Sequence, residues 1–227
     1  MFELVYRFDP AKAESYSMPQ TPEEACRLLV EGNRDFAEMT DTRHTAKNSR
    51  IIAFDPRAFG WGVGNGDVAG QAPFAAVLGC ADARVPIETV FSRGCNELFV
   101  VRVAGNVLGQ ECVGSLRYAV VHFPTTLKLV VVLSHAQCGA VTEAVRLYLE
   151  PRRYLEIATD YAVRSIEDQI LVAVRVAAMS MEMVYGNEVM TGLGCAAAAA
   201  CTVDHSSTSS AAVSLSISSS WRSSRDS

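Results

Sequence analysis

Phe74-Ala-Ala-Val-Leu-Gly79 is a short apolar run that leads directly into the polar stretch Cys80-Ala-Asp-Ala-Arg-Val-Pro86. Two further apolar runs, Glu97–Val103 and the valine-rich Leu127–Leu133, follow it along the chain. Helical stretches alternate with these runs and are predicted at Gly114–His122, Val141–Leu149 and Asp160–Tyr185. Near-continuous apolar strands that alternate with helices indicate a parallel sheet covered on both faces. We therefore predict an α/β fold with a mostly parallel central sheet flanked by helices.

The chain before the first apolar run carries the signals of a helix start. Thr21 is predicted as the N-cap, Pro22 fits the first turn, and Glu24 completes a capping box. Apolar residues then recur at helical spacing at Ala25, Leu28, Leu29 and Phe36. Residues 40–70 are polar and glycine-rich, and we expect them to form a loop.

The long helix Asp160–Tyr185 is expected to stop at Gly186. Its inward side is predicted to carry Ile166, Ile170, Ala173, Ala177 and Met181. The following sequence changes to alanine and serine repeats, which predict weak order or disorder. We expect one domain over 1–190, with an N-terminal helical arm at about 20–40, and an atypical Ala/Ser-rich tail over 191–227.

Composition excludes several classes of protein. The 227 residues are 49% hydrophobic and 20% charged, which is ordinary globular usage, and the formal net charge is −5. Phosphate binding needs clustered Lys and Arg, so we expect no nucleic-acid partner. The most apolar stretch, Ile170–Met179, is broken by Arg175 and is shorter than the roughly 20 residues that span a bilayer, so we expect no membrane association. No secretory signal is evident, and we expect a reducing, cytoplasmic compartment in which clustered Cys and His indicate a metal site or catalysis before disulfides.

Two strand ends carry residues that can bind a metal. The first apolar run ends at Cys80, and the third ends in Ser134-His135-Ala-Gln-Cys138-Gly139. Carboxyl ends of neighbouring parallel strands lie at one edge of a sheet, where ligands bind. Two thiolates and one imidazole match a Cys₂His zinc site with an open fourth position, and the helix N-terminus is expected to favour the thiolate at Cys138.

Asp82 and Arg84 complete the chemistry expected at this edge. An Asp two residues beyond a zinc-binding Cys either takes the fourth position itself or accepts a hydrogen bond from zinc-bound water. Arg84 can pair with that carboxylate and hold it off the metal. Zinc lowers the pKa of bound water to about 7, which supplies hydroxide near neutral pH.

These motifs, together with Arg102-Val-Ala-Gly105-Asn106, closely resemble the β-class carbonic anhydrases over roughly residues 20–185. The resemblance implies Zn²⁺ held by Cys80, His135 and Cys138, with Asp82 and Arg84 as a catalytic dyad. It also implies that Gln71, Phe91, Tyr118 and Gly139 contribute to substrate binding, with Phe91 and Tyr118 lining a pocket across a dimer interface. Packing in the core or at an interface is the alternative role for Phe91 and Tyr118. Val77 stands where allosteric members carry a Trp, which favours the constitutively open type.

The resemblance implies reversible hydration of carbon dioxide by attack of zinc-bound hydroxide, in a homodimer or a dimer-based oligomer whose N-terminal helix packs on the partner. Two alternatives remain at this point: hydrolysis of COS or CS₂ on the same scaffold, and a non-catalytic zinc- or bicarbonate-binding homologue inactivated by its altered C-terminus. The segment Thr191–Ser227 matches no element of the family and is either a divergent natural tail or an out-of-frame translation product.

Overall fold

The computed structural model describes residues 2–8, 18–40, 48–53, 55 and 70–186. The predicted tail over 191–227 lies outside the described residues, as does most of the segment between 54 and 69. Among the described helices, none combines the length and apolarity that crossing a membrane requires.

The central sheet has three parallel strands: β3 (Ala75–Cys80), β4 (Leu98–Val103) and β5 (Leu129–Leu133). Their order is β4-β3-β5, so β3 lies in the middle, and every residue of β3 is buried. The register places Gly79 opposite Arg102 on one side and opposite Leu133 on the other. The predicted parallel α/β sheet is therefore confirmed, and the carboxyl ends of β3 and β5 lie side by side.

Helices cover both faces of this sheet. Their bounds are α1 (Pro22–Thr40), α2 (Ile87–Val90), α3 (Gln110–His122), α4 (Gly139–Leu149), α5 (Tyr154–Ile157) and α6 (Tyr161–Tyr185). One core cluster packs α1 and α2 against the sheet and includes Leu29, Phe74 and Phe91. A second cluster joins α4 to α6 through Ala144 and Ile170.

The start of α1 follows the sequence prediction with one difference. The Thr21 hydroxyl oxygen accepts a hydrogen bond from the Glu24 amide at 3.2 Å, as an N-cap does. The Glu24 carboxylate, however, accepts from the amide of Gln20 at 2.7 Å, one residue before the N-cap. Ala25 and Leu29 are fully buried, so the apolar face of α1 packs in the core of its own chain.

A separate pair of parallel strands, β1 (Phe2–Arg7) and β2 (Asn48–Ala53), corrects the prediction of a loop over residues 40–70. The apolar signal of β2 is short: Ile52 is buried, whereas Ile51 is 47% exposed. Its partner strand lies far away along the chain, so no local pattern reveals the pairing. An ion pair between Arg50 and Asp35 links β2 to α1.

The helix α6 begins and ends as predicted, but its inward face is partly different. Asp160 caps it by accepting a hydrogen bond from the Val163 amide at 3.0 Å, and Gly186 ends it in a left-handed conformation with φ 80°. Ile166 and Ile170 pack inward as predicted, whereas Ala173 and Ala177 are exposed. The inward row continues instead through Val174 and the buried Ala178. Steps of four residues follow one ridge of the helix surface, and this ridge is the one that packs on α4.

Candidate metal centre

Cys80, His135 and Cys138 lie together at the carboxyl edge of the central sheet. Cys80 ends β3, His135 lies just beyond the end of β5, and Cys138 is the N-cap of α4. One ligand atom from each residue lies within 4.8 Å of the others, and the two sulfur atoms are 3.8 Å apart. The structure thus brings together the three residues that the sequence predicts as metal ligands.

The backbone between His135 and Cys138 makes a tight turn. Gln137 adopts a left-handed conformation with φ 55°, which turns the chain so that His135 and Cys138 both face Cys80. The first turn of α4 then directs the backbone amides of Val141 and Ala140 at the Cys138 sulfur. This short connection accounts for the His-x-x-Cys spacing.

The geometry and chemistry of these donors fit zinc. Two Zn–S bonds of about 2.3 Å at a tetrahedral angle separate their sulfur atoms by about 3.8 Å, which agrees with the observed sulfur–sulfur distance. The Nε2 atom of His135 is buried and has no hydrogen-bond partner among the described residues, although an orphaned buried nitrogen is costly. Its Nδ1 atom lies 2.9 Å from the Ala136 carbonyl oxygen. A proton on Nδ1, donated to that carbonyl, leaves the lone pair of Nε2 for a metal.

Two opposing effects act on the protonation of the Cys138 thiol. Burial raises the pKa of Cys138, and nearby Cys80 raises it further. The amides of Val141 and Ala140 lower it, as expected for a helix N-terminus, but burial outweighs them. The helix alone therefore does not make Cys138 a thiolate, whereas a coordinated cation does.

Asp82 and Arg84 form a bidentate ion pair beside the three ligands. The Arg84 side chain donates from Nε to Oδ1 of Asp82 at 2.9 Å and from Nη2 to Oδ2 at 2.7 Å, and the Arg84 amide also donates to Oδ1. These bonds hold the pKa of Asp82 well below its usual range. Oδ2 of Asp82 lies 3.9 Å from Nε2 of His135, so the carboxylate borders the ligand cluster.

Arg84 also connects the two loops that carry the ligands. Its Nη2 atom donates to the carbonyl oxygen of Gln137 at 3.0 Å, which ties the loop after β3 to the turn before α4. The positions of Asp82 and of the His135–Cys138 turn are therefore coupled through one guanidinium group.

Arg102 is a site residue to which the sequence analysis assigned no role. It lies on β4, and its side chain donates to the carbonyl oxygen of Cys80 at 3.0 Å and to that of Asp82 at 2.7 Å. It therefore clamps the loop that carries a ligand and the carboxylate. The available signal was a single Arg next to the end of an otherwise apolar strand.

The four predicted substrate-binding residues have different positions. Gly139 is the first residue of α4 and adjoins Cys138. Gln71 is exposed and lies before β3, so the whole six-residue strand, about 20 Å long, separates it from Cys80. Phe91 is fully buried in the core with Leu29, and Tyr118 is 46% exposed on α3. Within the described part of one chain, only Gly139 of these four adjoins the ligand cluster.

The other described cysteines are free thiols, as predicted: Cys26, Cys95 and Cys112. Cys112 is buried on α3. It offers an internal comparison for the metal-ligating thiols because it is a buried cysteine outside the cluster.

Residues 75–182, which contain the whole ligand cluster and the Asp82–Arg84 pair, match the family model described as carbonic anhydrase. These residues belong to the β-carbonic anhydrase family. The chain is 40% identical over 129 residues to carbonic anhydrase 2 of Mycobacterium tuberculosis, covering 56% of this chain and 55% of that protein. A carbonic anhydrase of Mycolicibacterium smegmatis is 49% identical over 73 residues, or 31% of this chain and 34% of that protein.

The chain thus spans about half the length, or less, of the curated carbonic anhydrases that it matches. Among solved structures, a Coccomyxa β-carbonic anhydrase in complex with acetazolamide is similar with a TM-score of 0.34 and 24% identity. That match covers 63% of this chain and 64% of the Coccomyxa protein.

Proposed function

We propose that this chain binds one zinc ion through Cys80, His135 and Cys138 and catalyses the reversible hydration of carbon dioxide to bicarbonate and a proton. The observation that carries the proposal is the convergence of two sulfur atoms and a buried, unpartnered imidazole nitrogen within 4.8 Å. Family membership of residues 75–182 and the adjacent Asp82–Arg84 pair support it.

Zinc in such a site lowers the pKa of a water molecule so that hydroxide is available near neutral pH. Asp82 is kept anionic by Arg84, so its carboxylate acts as a hydrogen-bond acceptor rather than as a proton donor. By accepting a hydrogen bond from that hydroxide, Asp82 would orient the oxygen so that its lone pair faces the carbon of carbon dioxide. The overall reaction consumes one water, and its released proton passes to buffer.

The two arginines position this acceptor. Arg84 occupies both carboxylate oxygens of Asp82, which supports an arrangement in which Asp82 stays off the metal. Arg102 holds the backbone on either side of Ala81. A catalytic carboxylate fixed by both its side chain and its backbone loses little freedom when substrate binds.

We also propose a homodimer as the minimum unit, from the family resemblance, and a cytoplasmic localisation, from the free cysteines, which are typical of a reducing compartment. A substrate-binding role for Gln71 requires a second copy, because β3 separates it from the cluster of its own chain. The exposed ring of Tyr118 is available to such a copy, whereas the complete burial of Phe91 favours a packing role.

The first test measures zinc content of the purified full chain. Cys80→Ser and Cys138→Ser are expected to lose zinc, while Cys112→Ser, a buried thiol outside the cluster, is expected to keep one equivalent. Retention of a full equivalent by either ligand variant would contradict the ligand assignment.

The second test measures carbon dioxide hydration by stopped flow on the same samples. Asp82→Asn is expected to keep zinc and to slow hydration by about 100-fold or more, because an amide presents a donor where the carboxylate accepts. Zinc without hydration in the unchanged chain would instead support a non-catalytic zinc protein. Turnover of COS or CS₂ without carbon dioxide hydration would assign the alternative substrate.

A further inference from the structure

The outer face of α6 carries an apolar stripe that the described fold does not cover. Val172, Val176, Met179 and Met183 are 61%, 59%, 62% and 80% exposed. At 100° per residue these side chains fall within about 60° of one another, and they lie opposite the row that packs on α4. The helix is therefore apolar on two opposite faces, and exposed apolar stripes of this size mark interaction sites.

The spacing of the stripe identifies the kind of partner. Its residues are separated by four, three and four positions, which is the alternation of a heptad seam. Such a seam packs its side chains into the spaces of another helix that carries the same repeat. A second copy of this chain provides that helix.

Charges beside the stripe specify how two copies meet. Arg175 and Glu182 flank the same side of the seam, are both exposed, and make no ion pair with a described residue. In an antiparallel pair that sets Val172 against Met183 of the partner subunit, Arg175 lies about 3 Å along the axis from Glu182 of the partner subunit. The two-fold symmetry of the pair creates a second, identical attraction, between Glu182 and Arg175 of the partner subunit. In a parallel pair, the flank that carries Arg175 and Glu182 would face the other flank of the partner helix, which carries no opposite charge.

The other flank of the seam permits close approach. Ala173 and Ser180 occupy it, and both are small and exposed. Small flanking residues let two helices come near enough for the valine and methionine side chains to interdigitate. Both flanks are therefore compatible with the same antiparallel pairing.

We propose that α6 is a self-association surface at which two copies pack antiparallel about a two-fold axis level with Ala177 and Ala178. Such a contact is isologous, so it closes with two copies. The seam spans about three turns, or 16 Å, and is smaller than a standard interface of about 1,600 Å². We therefore expect association that depends on protein concentration, either between single chains or between dimers whose own interface lies elsewhere on the chain. The proposal does not depend on zinc or on catalysis.

Sedimentation velocity of the full chain over a range of concentrations tests the surface. Val176→Lys is expected to weaken association at least tenfold, because it places a charge in the seam. Val184→Lys is the matched control, since Val184 is 70% exposed on the same helix but lies off the seam. Arg175→Glu and Glu182→Arg are each expected to weaken association about fivefold, and the double variant is expected to return to within about threefold of the unchanged chain.

Several outcomes would overturn the proposal. A chain that stays monomeric at all concentrations has no such surface. If the double variant does not regain the association that each single variant loses, antiparallel pairing is ruled out. If Val176→Lys lowers the melting temperature but leaves the mass unchanged, another part of the same chain covers the stripe. Zinc content and hydration rate of these variants are expected to be unchanged per chain, so failure here is distinguishable from failure of the proposed function.

Discussion

Gly32 permits α1 to pack directly on the backbone of the turn after α2, and its replacement by alanine tests that packing. A Cβ atom at Gly32 would lie 1.8 Å from the Phe91 carbonyl oxygen, whereas real Cβ atoms essentially never approach closer than 3.0 Å. The helix and the turn would therefore have to separate by at least 3.0 − 1.8 = 1.2 Å. The obstructing atom is backbone, so no side-chain rotation relieves the contact.

Two opposing effects decide the result of Gly32→Ala. Alanine in a helix interior is favoured over glycine by about 1 kcal/mol. Overpacking costs about 1–3 kcal/mol, and separating the elements also breaks the buried hydrogen bond from the Ser92 hydroxyl to the Gly32 carbonyl oxygen, worth about 1 kcal/mol. The loss exceeds the gain, and we expect Gly32→Ala to lower the free energy of unfolding by about 1–3 kcal/mol.

Urea unfolding of the full chain, followed by circular dichroism, measures this difference. Gly114→Ala is the matched control: it also lies inside a helix, and nothing lies within 4 Å of its added Cβ atom. We expect this control to gain about 0.5–1 kcal/mol from helix propensity alone. Finding Gly32→Ala as stable as the unchanged chain, or more so, would refute the packing argument.

Three further predictions concern the clamp, a buried carboxylate and a helix cap. Arg102→Ala is expected to weaken zinc binding about 10–100-fold in competition with a chelator, because the loop of Cys80 loses its support; unchanged affinity would contradict the clamp. Burial, and then Glu143, raise the pKa of Glu167, so the native chain loses stability as pH rises from about 4.5 through that raised pKa. Glu167→Gln is expected to become more stable relative to the unchanged chain across this interval in urea titrations at several pH values, and a constant difference would disprove the linkage. Asp160→Ala is expected to lose about 1 kcal/mol of stability at the start of α6, while Asp160→Asn keeps most of it; equal losses would show that the cap contributes nothing.

The sequence predicted the elements that local patterns encode. The valine-rich β5 and the start of α1 at Thr21 followed from continuous apolarity and from capping residues. The pairing of β1 with β2 could not be predicted, because it depends on segments far apart in the chain and on one buried isoleucine. The inward row of α6 was only half right, because the ridge that packs is chosen by the facing helix α4 rather than by the periodicity of α6.

Some features of the candidate site could likewise be predicted from the sequence, whereas others could not. The three ligand types and their spacing were visible in the sequence, because metal chemistry restricts them. The raised pKa of Cys138 could not be predicted from the sequence, because burial depends on the packed fold. Here the effect of burial on the pKa outweighs the effect of the helix N-terminus. The Arg102 clamp escaped detection for a related reason: it acts on backbone carbonyl groups, which leave no trace in side-chain motifs.

Strand order, rather than the motifs alone, assembles the site. Because β3 lies in the middle of the order β4-β3-β5, the end of its strand can be reached from both sides. On one side β5 delivers His135, and on the other β4 delivers the Arg102 side chain that fixes the carbonyl of Cys80. A metal-binding residue at the end of an edge strand would have only one neighbouring strand. It would therefore lack either the second metal ligand, which here follows β5, or the arginine clamp, which here comes from β4. The central position of β3 therefore has two consequences. It buries every residue of the strand, and it places Cys80 between His135, which follows β5, and the Arg102 side chain on β4.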